Sequence, residues 1–165
     1  MRLYHGSNMA FRDVDLSVCR PNKDFGQGFY LAPDRIAAER MAKRTVRRFG
    51  GRAYLMTFDL DEAVLADVPV KRFSQPSEEW AMFVMANRRP QIAAADHNRD
   101  NIYGMVVGPV ANDDLALLFR QFALGLVTVE MLVREMRFKQ LTIQYSFHTP
   151  LAVSALKFVG VDDVY

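Results

Sequence analysis

The spacing of hydrophobic and polar positions changes repeatedly along this chain, and each change marks an element. Met1 to His5 alternates like a short strand, and Gly6-Ser7-Asn8 predicts a loop after it. An irregular stretch from about Ser17 to Asp24 leads into Phe25-Gly26-Gln27-Gly28-Phe29-Tyr30-Leu31. Two glycines among aromatics suit an extended segment with a close backbone neighbour, either a ligand or another strand. Pro33 fits the first turn of a helix whose buried stripe is Ile36, Ala37, Met41, Thr45 and Phe49, ended by Gly50-Gly51. Ala53 to Phe58 alternates as a strand, and Leu65 to Phe73 reads as a strand interrupted near Pro69. Ser77, followed by Glu78 and Glu79, starts a helix carrying Trp80, Phe83, Val84 and Asn87. Residues 88–100 are polar and turn-rich, which predicts a surface loop.

Tyr103 to Val107 reads as a short buried strand ending at Gly108-Pro109. Asp113 or Asp114 is placed to cap a helix through about Leu124, with Gly125 at its end. Another helix is expected from Thr128 to Arg137, with Glu130 near its start and Arg134 and Arg137 near its end, as the helix dipole favours. Thr142 to His148 alternates cleanly. Leu141, Ile143, Tyr145 and Phe147 share one face, and Thr142, Gln144, Ser146 and His148 the other, which is either an exposed sheet face or the wall of a ligand cleft. Pro150 opens a short helix to Leu156, and Lys157 to Val161 forms a last strand. Strands at both ends with helices between them, and no regular strand–helix alternation, predict an α+β fold.

Composition narrows the class. Half of the 165 residues are hydrophobic, and the nine Gly and seven Pro are scattered without a linker or repeat, so residues 1–165 are expected to form a single domain. Apolar stretches such as Phe122 to Val127 fall far short of the roughly 20 residues a membrane span requires, and the N-terminus lacks the apolar run of a signal peptide. Cys19 is the single cysteine, so a reducing, cytoplasmic location is the expectation. Lys and Arg number 21 against 19 Asp and Glu, a balance too mild to indicate nucleic-acid binding by itself. Arg40, Lys43, Arg44, Arg47, Arg48 and Arg52 nevertheless crowd one segment, with Arg40, Arg44 and Arg48 in one helical row. That row is either a solvated face or a surface for phosphates or an acidic partner.

Three separated pieces carry candidate chemistry: Leu3-Tyr4-His5-Gly6-Ser7, Asp24 to Leu31, and Gln144-Tyr145-Ser146-Phe147-His148-Thr149. In this order they resemble the ADP-ribosyltransferase superfamily, the first two its His-Gly-Ser/Thr and Gly-x-Gly-x-Tyr motifs. The whole chain also looks like the bacterial DUF3990 group, whose pattern includes Glu79-Trp80, Asn87-Arg88 and Val107-Gly108-Pro109-Val110-Ala111-Asn112-Asp113. The resemblance implies two small sheets splayed around an NAD-binding cleft, with helices on the flanks. It implies NAD⁺ as substrate, no metal, and an unidentified protein or nucleic-acid acceptor; a toxin's role would be the same chemistry.

Cleaving nicotinamide from ribose produces an oxocarbenium-like sugar, so such a site must hold the ring flat, grip ribose hydroxyls and stabilise positive charge. By resemblance, His5 would bond a ribose hydroxyl of the adenosine half, and the Gly6 backbone would pair with the nicotinamide amide. Ser7 would add a polar contact, Tyr30 would stack on the nicotinamide, and Gly28 would admit the dinucleotide. Arg20 is the nearest candidate for the pyrophosphate, with the Arg40–Arg48 row as an alternative. Gln144 stands where active transferases usually carry glutamate. A glutamine keeps the acceptor but not the charge, and losing a positioned charge or base typically costs about 10²–10⁴ in rate. Gln144 therefore leaves open a slow transferase, one whose target supplies the base, or a non-catalytic nucleotide-binding module.

Other constellations are weaker. Asp24-Phe25-Gly26 imitates the kinase magnesium tripeptide, but no glycine-rich loop precedes it and no His-Arg-Asp loop follows. Asp96, His97 and Asp100 read as a polar loop, and nothing near Cys19 would lower its thiol pKa.

Overall fold

The computed structural model describes residues 1–89, 91, 96–110, 116–137 and 141–165. Its strands are β1 (Arg2–Ser7), β2 (Phe29–Leu31), β3 (Tyr54–Leu60), β4 (Val70–Arg72), β5 (Met105–Val110), β6 (Thr142–Phe147) and β7 (Leu156–Asp163). Its α-helices among the described residues are α1 (Arg35–Phe49), α2 (Glu78–Arg88), α3 (Ala116–Ala123), α4 (Val129–Arg137) and α5 (Pro150–Ser154). Two open sheets result, ordered β1-β3-β7 and β2-β6-β5-β4. All pairs are antiparallel except β4 with β5. This is an α+β arrangement, and no helix among the described residues is long and apolar enough to cross a membrane.

The alternation of side chains sets the layers. Leu3, Met56 and Phe58 from the first sheet meet Phe29, Leu31, Met105 and Phe147 from the second in one buried cluster. The other face of the second sheet carries Val106 against Trp80, Phe83, Phe119, Leu132 and Met136 of α2, α3 and α4. Helix α1 covers the outer face of the first sheet, with Ala38 against Leu55.

Gly6 and Ser7 lie inside β1 rather than in the expected loop, and α1 supplies the reason. A Cβ on Gly6 would stand 1.9 Å from the Ala38 carbonyl oxygen and 2.7 Å from the Ala42 nitrogen, so only glycine lets the helix backbone approach this strand. The same close approach corrects the expected stripe of α1. Ala38 and Ala42 are its buried residues, whereas Ile36 and Phe49 are 57% and 49% exposed. Asp34 caps the helix by accepting from the Ile36 N–H, so Pro33 lies just outside it.

Ser77 caps α2 as its sequence predicts, accepting from the Trp80 N–H. Between Leu65 and Phe73 a short 3₁₀ turn precedes β4, which is confined to three residues. Strand β5 continues through Pro109 instead of stopping there. The Val107 carbonyl accepts from Phe73 N–H on the β4 side, so Pro109, two residues on, turns its missing donor to the side where β4 has ended. In β7 the register slips between Phe158 and Gly160, leaving Val159 as an extra residue. Of residues 88–100, Arg88 ends α2 and Asn98 is fully buried, so the segment is not simply a surface loop. The expected cap at Asp113 or Asp114 lies outside the described residues.

A Gly6→Ala substitution is expected to cost about 3 kcal/mol, the upper end of overpacking penalties, because the obstructing atoms are backbone. Urea denaturation measures this; an unchanged midpoint would mean that α1 does not rest on β1.

Candidate functional site at the junction of the sheets

Beside their packed faces, the two sheets are joined by one backbone rung among the described residues. Tyr4 N–H donates to the Ala32 carbonyl at 2.9 Å and Ala32 N–H to the Tyr4 carbonyl at 2.8 Å. In a regular antiparallel ladder the next such pair would be Gly6 with Tyr30. Instead the His5 ring donates from Nδ1 to the Tyr30 carbonyl oxygen at 2.7 Å. The Tyr30 carbonyl is thus bonded by a side chain at the place of the second rung. Because Tyr4 points its N–H and C=O out of the first sheet, Gly6, two residues on, points its own the same way. The Tyr30 N–H shares the outward direction of Ala32. The gap between the strands is thus faced by a backbone donor and acceptor of Gly6 and by the Tyr30 N–H.

The His5 ring is held against Phe29, centroids 4.6 Å apart, with Phe11 edge-on at 5.5 Å. Burial lowers its pKa, nearby Lys23 acts in the same direction, and the bond to the Tyr30 carbonyl opposes them. A neutral imidazole with its proton on Nδ1 keeps a lone pair on Nε2 as an acceptor.

Tyr30 pairs with Ser146 across β2 and β6, so Tyr30, Ser146 and Gln144 present their side chains on one face of the second sheet. Tyr30 and Gln144 are diagonal neighbours on that face, about 7–8 Å apart. Both are half-buried. The Tyr30 hydroxyl accepts from Phe25 N–H at 3.0 Å and donates to the Gly26 carbonyl at 2.8 Å. Burial raises its pKa well above the usual phenol value, reinforced by Asp24. The Phe25 ring runs parallel to Tyr30 at 6.2 Å, and a Cβ on Gly108, the partner of Gln144, would meet Phe25 at 3.4 Å. His5, by contrast, packs on Phe29, whose side chain alternates with that of Tyr30. The His5 ring therefore lies on one face of β2, bonded to the Tyr30 backbone, while the Tyr30 and Gln144 side chains lie on the other.

The remaining predicted residues have identified neighbours. Ser7 Oγ accepts from Met9 N–H at 3.3 Å. A Cβ on Gly28 would stand 2.5 Å from Nδ1 of His148, so its openness admits an imidazole of the protein itself. Arg20 is exposed and lies over the Phe49 ring at 4.4 Å, at the end of α1. Two surface hollows, of about 540 Å³ beside Val14, Leu16 and Val153 and about 380 Å³ beside Asp59, Asp61 and Lys157, lie apart from these residues.

Sequence reasoning missed the groups that fix the loop before β2. Asn87 donates to the Asp24 carbonyl at 3.3 Å and accepts from Asn98 N–H at 2.8 Å, while Asn98 donates to the Phe25 carbonyl at 3.4 Å and the Tyr103 carbonyl at 3.0 Å. Arg88 grips the buried Asp24 carboxylate at 2.6 Å and 2.7 Å. Trp80 Nε1 donates to the Pro109 carbonyl at 2.7 Å. Asp96, from the polar cluster, pairs with Lys71 at 2.9 Å and accepts from the Tyr103 hydroxyl at 3.1 Å. The signal was a buried asparagine on an apolar helix face, since a buried amide needs partners.

Ser146 and His148, on the polar face of β6, are buried rather than lining an open wall. His148 Nδ1 donates to the Gln27 carbonyl at 2.8 Å, leaving Nε2 to accept from the Ser146 hydroxyl at 2.8 Å. That hydroxyl also lies 3.0 Å from the Val106 carbonyl. One proton serves two acceptors. Burial lowers the His148 pKa to about 4, against the opposing effect of the Gln27 carbonyl.

Because the folded pKa of His148 lies below its unfolded value near 6.5, its contribution to stability is complete above pH 6.5 and is lost as pH falls towards 4. Thermal or urea unfolding is expected to show a loss of about 3 kcal/mol across that window, reduced in His148→Gln. Identical pH profiles in the two proteins would remove His148 from the account.

No curated protein and no solved structure matches the chain. The sequence pattern described as "Protein of unknown function (DUF3990)" matches residues 1–158, a span that takes in every strand except the last residues of β7. The chain therefore belongs to the DUF3990 family.

Proposed function

We propose that this protein binds NAD⁺ in the notch between β1 and β2, in the manner of the ADP-ribosyltransferases, and transfers ADP-ribose from it to a macromolecular acceptor. The interrupted ladder carries the reading. Gly6 offers one N–H and one C=O towards the gap, the complement of a carboxamide such as that of nicotinamide. His5 keeps Nε2 as an acceptor for a ribose hydroxyl, because its Nδ1 proton is committed to the Tyr30 carbonyl. The half-buried Tyr30 ring borders the same strand, with its hydroxyl held by the loop so that the ring cannot swing. Lys23, close enough to His5 to lower its pKa, and Arg20 bring positive charge for a pyrophosphate.

Gln144 grips the nicotinamide ribose in this reading. Its amide oxygen accepts a hydrogen bond from a hydroxyl as a carboxylate would, but it does not offset the cationic sugar as bond cleavage proceeds. The consequence is slow turnover unless the acceptor supplies a base. A second reading, a nucleotide-binding module without turnover, is favoured by that same glutamine.

Calorimetry with NAD⁺ is expected to detect binding that His5→Ala weakens by about 10-fold or more, the effect of one lost hydrogen bond to a partly buried group. No heat from NAD⁺ at millimolar levels would refute the notch. Nicotinamide release separates the two readings: Gln144→Glu is expected to raise it by about 10²-fold. Binding without release in either form favours the module.

A further inference from the structure

We propose that the outward face of α1, together with Arg20, is a docking surface for single-stranded nucleic acid. Ala38 and Ala42 fix the inward side of this helix against β1, so Arg40, Lys43 and Arg47 recur on the opposite side, all exposed. Arg40 and Arg47 are separated by about 10 Å along the axis. Residues 40–58 contain no Asp or Glu. The cations at the margins are neutralised within the protein: Arg35 pairs with Glu39 at 2.8 Å and Asp162 at 3.0 Å, and Arg52 with Asp163 at 3.3 Å. Arg40, Lys43, Arg47 and Arg48 enter no ion pair among the described residues. A helix that merely needed solubility would mix both signs throughout; from Arg40 to its end this one carries cations alone.

An aromatic ring selects among polyanions. Phe49 is 49% exposed at the end of α1, with the Arg20 guanidinium over its ring at 4.4 Å and that of Arg48 at 5.1 Å. Guanidiniums laid on a ring form a cationic stacking surface suited to unpaired bases, which carry a π-face, whereas the carboxylates of an acidic protein do not. Arginine also predominates over lysine on this face, as its forked donors suit phosphate oxygens. Lys23 adds positive charge from the neighbouring loop, near enough to Arg20 and Arg44 for their repulsion to join burial in lowering its pKa.

The surface shares Arg20 and Lys23 with the NAD⁺ reading but needs neither His5 nor Gln144, and the test below omits NAD⁺ and substitutes only residues of α1, so the two readings fail separately. The test is fluorescence anisotropy of the full chain, without NAD⁺, using labelled oligothymidylate of about 20 nucleotides, a duplex of equal length and poly-glutamate as competitor. The oligothymidylate is expected to bind more tightly than the duplex, with an affinity that falls as salt rises. Replacing Arg40, Lys43 and Arg47 together by Gln should lower the salt slope by about 2 and the affinity at 0.1 M salt by about 100-fold. Phe49→Ala should weaken binding by about 10-fold with the salt slope kept, because it removes stacking rather than charge. Absence of binding, equal affinity for the duplex, displacement by poly-glutamate at matched charge, or indifference to the triple substitution would each overturn the proposal.

Discussion

The hydrogen bond from His5 Nδ1 to the Tyr30 carbonyl stands where a second rung between β1 and β2 would form, beside the Tyr4–Ala32 bridge that joins the two sheets. A side chain has replaced a backbone amide. The exchange keeps the Tyr30 carbonyl satisfied while freeing a glycine's N–H and C=O to face the gap, which a continuous ladder would have consumed. The backbone pairing between the sheets therefore stops after one rung, and the groups beside it are set by the alternation of a strand.

Holding that junction falls to residues remote in sequence. The loop that delivers β2 is tied from one side by the Tyr30 hydroxyl and from the other by Asn87, Arg88 and Asn98, all reaching backbone or carboxylate groups of residues 24–26. His148 then ties the Gln27 carbonyl to β6. Buried polar networks of this kind fix one conformation because each unsatisfied member would cost free energy. The segments Trp80, Asn87-Arg88 and Gly108-Pro109, quoted above as a family pattern, thus have structural duties: the indole holds the β5 carbonyl, the amide and guanidinium hold the loop, and Gly108 makes room for Phe73.

Local signals were legible wherever local chemistry decides. The Ser77 cap, the alternation of Thr142 to Phe147 and the end of α1 at Gly50 were all readable from neighbours in sequence. Where a distant element decides, the reading failed. Gly6-Ser7 carries turn chemistry, yet the arrival of α1 makes the glycine a packing surface inside a strand. Pro109 looks like a strand terminator until the absence of a β4 neighbour at that level leaves its missing donor harmless. At the junction, Gln144 was legible as part of a polar strand face, whereas His5 and Tyr30 were singled out only by the motifs they resemble. The carbonyl bond between His5 and Tyr30 was not, since no pattern of types specifies which oxygen an imidazole will choose. His148 was seen as part of a polar row, but its burial depends on Gly28, in another strand's approach.

The extra residue at Val159 has a bearing on the protein's behaviour at high concentration. Strand β7 lies at the outer margin of its sheet, where a row of unmatched amides and carbonyls offers a template to any passing extended chain. A local kink there, with Asp162 and Asp163 closing the strand, spoils the regular repeat that a second chain would have to match. The irregularity works as a guard against aggregation along that margin.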